Sequence, residues 1–473
     1  MSFQIGFSHL TGGETWKSYD DLAKGAAENG GFAAIREERK PTDLANARLR
    51  TLTRALGPLY IRYSGTTANS VYFHDSAAPL PGKPPAGFTV ALTRAAWKGA
   101  VDFAKAVDAK ILTSFANSDG VRDGAHAWSP RMAAPWLAYN RAIGGQIYAA
   151  ELFNEPNAPE PPRIPKGHTA EEFARDFAAF RSFMAQAAPG VKVAGPGNAM
   201  MGVPIASIDA VSPEQYAAAT PAAKFDIVSY HFYPALAERC APPGSPAGIS
   251  VDKALDEGWL ARPDKPIARF KALRDKHAPG APIWITETGG AACGGLRWQP
   301  TFLDAFRFLD THARSARQGV DAMFTHALIS GSNGVIDEKT FQPNASYWGA
   351  VLWRRLMGTR VLDAGPIAPG LHLYAHCQRG KPGGVALLAI NLESAPASVD
   401  VGGPADVYAL TSPELQSKAV LHNGRALALR SDDTLPAMAP VRVKGGRVTL
   451  APTSIAYIAL PDVRNRNCLA RAL

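Results

Sequence analysis

Eight short β-rich runs, separated by longer segments with apolar residues at helical spacing, occupy the chain from Met1 to about Gly358. They are FQIGFS (3–8), YIRYS (60–64), KILTSFA (110–116), IYAAELFNE (147–155), VKVAGP (191–196), FDIVSYHFY (225–233), APIWITE (281–287) and DAMFTHALI (321–329). Alternating strand and helix patterns are the mark of repeated βα units around a parallel sheet, and eight such units close a (β/α)₈ TIM barrel. Helices are predicted from Thr42 to Leu56, Leu92 to Ala109, Thr169 to Ala188, Val251 to Lys276, Phe302 to Arg317 and Ser346 to Met357. Thr169 with Glu172 three residues on is a capping box, which satisfies the free N–H groups of a first helical turn.

Beyond Gly358 the pattern changes to short alternating strands with glycine turns: LHLYAHC (371–377), GVALLAINL (384–392), ADVYALT (405–411), RALALR (425–430), RVTLA (447–451) and SIAYIAL (454–460). Asn423-Gly424 and Gly445-Gly446 are hairpin-turn dipeptides, because both central residues can take positive φ. The expected organisation is therefore a catalytic barrel over 1–358 and an antiparallel β-sandwich over 359–473. With 473 residues, 46% of them hydrophobic, the chain can bury cores for both.

Several function classes fall away. No run of 18 apolar residues exists, so no membrane-spanning helix is expected. The net charge of +9 favours polyanionic partners, yet there is no five-residue block of like charge and no basic stretch interleaved with aromatics, so no nucleic-acid partner is expected. Cys240, Cys293, Cys377 and Cys468 form no CxxC pair and no Cys/His cluster at zinc spacing, and neither metal nor cofactor is expected. The N-terminal MSFQIGFSHL lacks the form of a secretory leader, which is then either absent or removed upstream of this numbering.

A TIM barrel carries its chemistry at the C-terminal ends of its strands. Two glutamates close predicted strands: Glu155 ends the fourth in ELFNEPN, and Glu287 ends the seventh in IWITETGG. Strands four and seven lie on different sides of a closed barrel, so these carboxyls can face each other across its mouth. Such a pair suits glycoside hydrolysis, where one carboxyl protonates the leaving oxygen and the other attacks the anomeric carbon, at a separation of about 5 Å for retention. Asn154, directly before Glu155, is placed to bond a sugar 2-OH.

FNEPN, ITET and the trailing β-sandwich together resemble the retaining glycoside hydrolases built on a (β/α)₈ barrel. LRTLTRALGPLYIRYSGT (49–66), SYHFYP (229–234) and YWGAVLWRRLMGTRVL (347–362) are similar to glycoside hydrolase family 79, most closely its heparanases. The resemblance implies a heparan sulfate-cleaving endo-β-glucuronidase with Glu155 as acid/base and Glu287 as nucleophile. It further implies that Tyr233 bonds the nucleophile, that His231 lies in the site, that Thr66 lines the glucuronate subsite, and that Gly294 offers a backbone N–H to the sugar carboxylate.

The departures from that pattern are as informative. The family's tyrosine after strand eight is replaced by SGSNGVID (330–337), leaving Asn333 or a backbone group to help hold the carboxylate. The basic residues after strand five are replaced by GPGNAMMG (195–202), so sulfate contacts are sought at Arg163 and Lys166 after strand four, Arg239 after strand six and Arg297 after strand seven. Two readings compete with the endo-enzyme: an exo-acting β-glucuronidase with the same machinery, and a non-catalytic polysaccharide-binding protein, which would be expected to have lost one carboxylate.

The resemblance also implies a Cys377–Cys468 disulfide tying down the C-terminus, and the neighbouring loops after strands six and seven allow a Cys240–Cys293 bridge. Disulfides and an extracellular polymer as substrate both point to a secreted or periplasmic protein, expected to be a monomer.

Overall fold

The structure, a computed structural model, describes residues 1–24, 31–124, 126–158, 165, 168–219, 225–241 and 244–469. All eight predicted runs are barrel strands: β1 (Ser2–Gly6), β2 (Leu59–Ser64), β3 (Ala109–Ser114), β4 (Ile147–Glu151), β5 (Lys192–Met201), β6 (Ile227–Tyr233), β7 (Ile283–Thr288) and β8 (Ala322–His326). They pair in parallel in that order, and the ring shuts where β1 bonds both β2 and β8.

Strand alternation sorts the side chains. Tyr60 on β2 points inward with Leu112, Ala149, Ala194, Ile227, Trp284 and Phe324, and its ring lies 4.8 Å from Trp284. This plug fills the end of the barrel nearest the strand N-termini, each buried aromatic contributing roughly 2–3 kcal/mol. Outward residues such as Tyr230 meet the helices, with the Tyr230 ring stacked 4.0 Å from Phe270.

The surrounding helices include α1 (Ala47–Ala55), α2 (Arg94–Ala106), α3 (Ala133–Ala142), α4 (Ala170–Ala187), α5 (Asp264–His277), α6 (Phe302–Arg317) and α7 (Ala345–Leu356). The Thr169–Glu172 capping box forms at the start of α4. Two predictions are corrected. The helix expected from Val251 to Lys276 is broken into a 3₁₀ turn (Val251–Lys253), a single turn (Glu257–Leu260) and α5. Pro263 has no N–H to continue the preceding helix, and α5 restarts with Pro263 as its N-cap and Pro266 in its first turn. The whole of α3 went unrecognised in the sequence because Pro135 reads as a breaker, although in a first turn the missing N–H costs nothing.

C-terminal to the barrel, β9 (Met357–Leu362), β10 (Leu371–Gln378), β11 (Val385–Asn391), β12 (Ala405–Thr411) and β13 (Ser454–Leu460) form one antiparallel sheet, ordered β9-β10-β11-β13-β12. A two-stranded sheet of Ala397–Asp400 and Arg447–Leu450 covers one face, packing Val399, Val448 and Leu450 onto Val385, Val407 and Ile458. Asn423 and Gly424 both have positive φ and make the expected hairpin, but the predicted strand 425–430 shrinks to Arg425–Ala426. Gly445-Gly446 joins strands that pair with other partners rather than with each other.

The other face of the large sheet packs on the barrel through α6 and α7, where the Tyr457 hydroxyl donates to Gly349 O at 2.8 Å. Caught between two layers, α6 is buried almost along its length, and its charges are paired in place, Arg307 with Asp304 and Arg314 with Asp310. Both expected disulfides form: Cys240–Cys293 joins the loops after β6 and β7, and Cys377–Cys468 ties β10 to the tail, with Cα separations of 6.4 and 5.3 Å. Among the described residues no helix is long and apolar enough to cross a membrane.

Candidate active site

At the C-terminal ends of the strands the interior turns polar. Alternation along β6 sends Ser229, His231 and Tyr233 inward while Tyr230 and Phe232 join the outer core. A register shift between β6 and β7 sets His231 opposite Glu287, so both side chains enter the mouth together. Glu287 is thus the penultimate residue of β7, much as the sequence indicates.

Glu155 is placed differently from the expectation. β4 ends at Glu151, and Glu155 lies four residues further on, in a loop and with φ of 51°. The turn is held from beneath: the Asn69 side chain accepts from Asn154 N (2.8 Å) and donates to Asn154 O (2.9 Å). This clamp swings Glu155 back over the barrel, where its Oε1 lies 2.9 Å from His231 Nδ1 and its Oε2 3.3 Å from Asn154 Nδ2.

The result is a close pair of carboxyls. One oxygen each from Glu155 and Glu287 and one His231 nitrogen all lie within 4.8 Å of one another. Tyr233 donates its hydroxyl to Glu287 Oε1 at 2.6 Å, and Arg62 Nη1 donates to Glu287 Oε2 at 2.8 Å. Burial resists ionisation of Glu287, but the facing His231 and His326 rings, the Arg62 guanidinium and the Tyr233 hydroxyl together outweigh it and hold the carboxyl far below its usual range. The Tyr233 hydroxyl is driven up by burial and by Glu287, so it stays a donor. The two carboxylates and the imidazole also have the donor types of a cation site; the guanidinium fixed on Glu287 already supplies a positive charge there.

Arg62 is the residue that sequence reasoning missed. It is wholly buried on β2 and donates to Glu151 Oε2 from Nε and Nη2 (3.0 and 2.9 Å), to Asn154 Oδ1 (2.9 Å) and to Gln4 Oε1, besides Glu287. A buried charge survives only when paired and hydrogen-bonded, and Arg62 meets that condition with two carboxylates and two amide oxygens. The signal was present: in LYIRYS a period of two puts Arg62 on the same inward face as Tyr60 and Ser64.

The remaining candidates divide. Glu155, Glu287, Asn154, His231 and Tyr233 converge in one network. Thr66 is half-buried in the 3₁₀ turn that follows β2. Gly294, at φ +80°, lies against Trp16, and a Cβ there would stand 2.7 Å from the indole, which accounts for glycine whatever else the position does. Asn333 is buried and donates to His326 O at 3.3 Å. Arg239 is largely committed, donating to Lys17 O and stacking 4.0 Å above the Tyr19 ring, whereas Arg297, 4.9 Å from that ring, is exposed. Arg163 and Lys166 lie outside the described residues.

No protein-family model matches the chain. It is 30% identical over 288 residues to heparanase-like protein 1 of Arabidopsis thaliana, covering 51% of each chain. It is 32% identical over 192 residues to baicalin-β-D-glucuronidase of Scutellaria baicalensis (38% of this chain, 36% of that protein) and 30% identical over 209 residues to the heparanase of Gallus gallus (41% and 40%). The chain thus spans about half or less of the length of these relatives. In three dimensions it resembles a 4-O-α-L-rhamnosyl-β-D-glucuronidase from Fusarium oxysporum, with a TM-score of 0.67, 15% identity and coverage of 97% of this chain and 95% of that one. A GH51 arabinofuranosidase from Xanthomonas axonopodis pv. citri follows at TM-score 0.59 and 17% identity (87% and 89%), so the shared fold by itself does not select the sugar. The chain is thus similar, over about half its length or less, to heparanase-like proteins, a heparanase and a plant β-D-glucuronidase.

Proposed function

We propose that the protein is a retaining endo-β-glucuronidase that cleaves heparan sulfate by double displacement. The observation that carries this reading is the close Glu155–Glu287 pair, with one oxygen of each within 4.8 Å of the other, which favours direct attack by one carboxylate over the wider carboxyl separation of about 6.5–9.5 Å that admits a water in inverting enzymes. Glu287, kept ionised by its surroundings, attacks the anomeric carbon while Glu155 gives its proton to the departing glycosidic oxygen. The C–O bond breaks and a glycosyl ester on Glu287 forms. Water then adds to the anomeric carbon, Glu155 takes up its proton, and Glu287 leaves as carboxylate.

The substrate rests on the names borne by the relatives and on the basic balance of the chain. In this reading Asn154 bonds the sugar 2-OH, while Thr66, the Gly294 backbone and Asn333 hold the glucuronate, and exposed cations such as Arg297 meet sulfate groups. Residues 1–358 form the catalytic unit and 359–473 its supporting sandwich, in a monomer exported to the periplasm or the cell exterior, an oxidising setting in which two disulfides persist.

Digestion of intact heparan sulfate, followed by gel filtration, tests the reading. Early appearance of mid-sized fragments is expected; release of free glucuronate alone would replace it with exo-action, and no turnover of either the polymer or an aryl glucuronide would remove the enzyme. Glu155→Gln is expected to lower kcat/KM on the polymer by about 10²–10⁴, but far less on an aryl glucuronide whose leaving group needs no proton. Equal losses on both substrates would assign the acid elsewhere.

A further inference from the structure

At the far end of the barrel from the carboxylates, the strand N-termini face β9 and β10 across a cavity of about 610 Å³. Three cations line it: Lys110 from the start of β3, Arg354 from the last turn of α7, and Arg379 just after β10. Among the described residues none of the three forms an ion pair with a carboxylate. Arg354 donates to Gly57 O, Arg379 Nη2 donates to Met357 O at 3.0 Å, and the Lys110 ammonium lies 4.9 Å from the Tyr148 ring. A guanidinium has five N–H groups, so both arginines keep donors in hand, and Arg379 Nε is buried without a partner.

The two acids on the same wall relieve this concentration of charge only in part, Asp108 acting on Arg354 through space. Neither Asp108 nor Asp321 pairs with these cations, and Asp321 spends Oδ2 on Ile283 N at 2.8 Å. Burial and the neighbouring Arg379 push the Arg354 guanidinium down to about 10, the direction expected of like charges gathered at one partly dry wall. His312 and His376 also line the cavity, as does Met1, whose amino group is pushed down to about 5 by burial and by Arg354 and Arg379. Each histidine ties Nδ1 to a carbonyl, Phe308 O at 2.8 Å and Gly358 O at 2.7 Å, and each leaves Nε2 unpartnered. Part-buried cations without counter-charges are costly to a fold unless something else supplies the anion.

We propose that this cavity binds a small anionic sugar, whose carboxylate or sulfate lies between Arg354 and Arg379. The volume falls in the range of small-molecule sites, about 300–1,000 Å³, and exceeds what a bare inorganic anion needs. The site is separate from the barrel mouth, lying at the opposite ends of the strands, and does not depend on the chemistry assigned there.

Equilibrium dialysis of the full chain with labelled glucuronate, glucosamine 6-sulfate and glucose tests it. Wild-type protein is expected to take up one more equivalent of an anionic sugar than the Arg354→Gln/Arg379→Gln variant, whose affinity at this site falls by more than about 10-fold. The comparison cancels whatever the barrel mouth binds, and hydrolysis of an aryl glucuronide is expected to be unchanged in the variant. Extra uptake of glucuronate or of glucosamine 6-sulfate supports the site and identifies its anion as carboxylate or sulfate. Equal uptake by wild type and variant, or an extra equivalent of glucose, overturns it. Should the double variant not fold, the exposed Lys110→Gln decides: about 3-fold weaker binding is expected, and an unchanged dissociation constant refutes the proposal.

Discussion

Glu287→Gln is expected to reduce kcat on an aryl β-glucuronide by about 10⁴–10⁶, the scale on which a nucleophile within a catalytic unit is lost. The amide keeps the shape of the side chain: its carbonyl oxygen can still accept from Arg62 while its NH2 donates to the Tyr233 hydroxyl oxygen, so the fold should survive; what disappears is the electron pair that forms the glycosyl ester in the proposed mechanism. Stereochemistry gives an independent check. Wild-type product, followed by proton NMR before mutarotation, should appear first as the β-anomer, and Glu287→Gly supplied with azide should yield the α-glycosyl azide, because the small anion attacks from the vacated face. A β-azide would transfer the nucleophile's role to another residue.

The second large effect is expected at Arg62. Arg62→Met removes the only cation bonded to Glu151 among the described residues and strands a carboxylate that is 2% exposed, at a cost of about 3–5 kcal/mol in chemical denaturation. It should also lower kcat/KM by more than about 10²-fold, since Glu287 and Asn154 lose a shared donor. Adding Glu151→Gln to Arg62→Met removes the stranded charge and should recover most of the stability but little of the activity. Recovery of both would make Arg62 a purely structural residue. The pH profile separates the roles further. Glu287 is held down against burial partly by Arg62, so removing the guanidinium raises its pKa, and the acid limb of kcat/KM should move to higher pH. The stability that Glu287 adds as a carboxylate, present above its unfolded value and lost as pH falls, should likewise fade at a higher pH.

Much of the site was legible without coordinates. Glu155 and Glu287 are marked by their places at the ends of β-rich runs, and Tyr233 and His231 by the resemblance carried in SYHFYP; in the structure strand alternation turns both inward. Even so, ELFNEPN reads as one strand running to Glu155, when the strand ends at Glu151. Local patterns cannot show that Asn69, more than eighty positions earlier, takes over the backbone bonds of Asn154 and turns the chain. Arg239 misled in the opposite direction: a loop arginine reads as a free sulfate contact, but here it is largely spent on Tyr19 and Lys17.

By itself, then, the sequence determined the number and order of the barrel strands, the antiparallel sheet after them and the two carboxyls, because each follows from short-range periodicity, turn chemistry or motif, whereas the Cys377–Cys468 pairing was implied by family resemblance and Cys240–Cys293 was only allowed by neighbouring loops. Only the tertiary structure decided that one oxygen of each carboxyl lies within 4.8 Å of the other, that Arg62 joins Gln4, Glu151, Asn154 and Glu287 at the barrel axis, and that three cations without an ion pair among the described residues line one cavity beneath it. Those facts depend on closure of the ring and on docking of the C-terminal sheet. Closure and docking bring together residues far apart in the chain, such as Lys110 and Arg379 at a separation of 269 positions, and no local propensity encodes their distance.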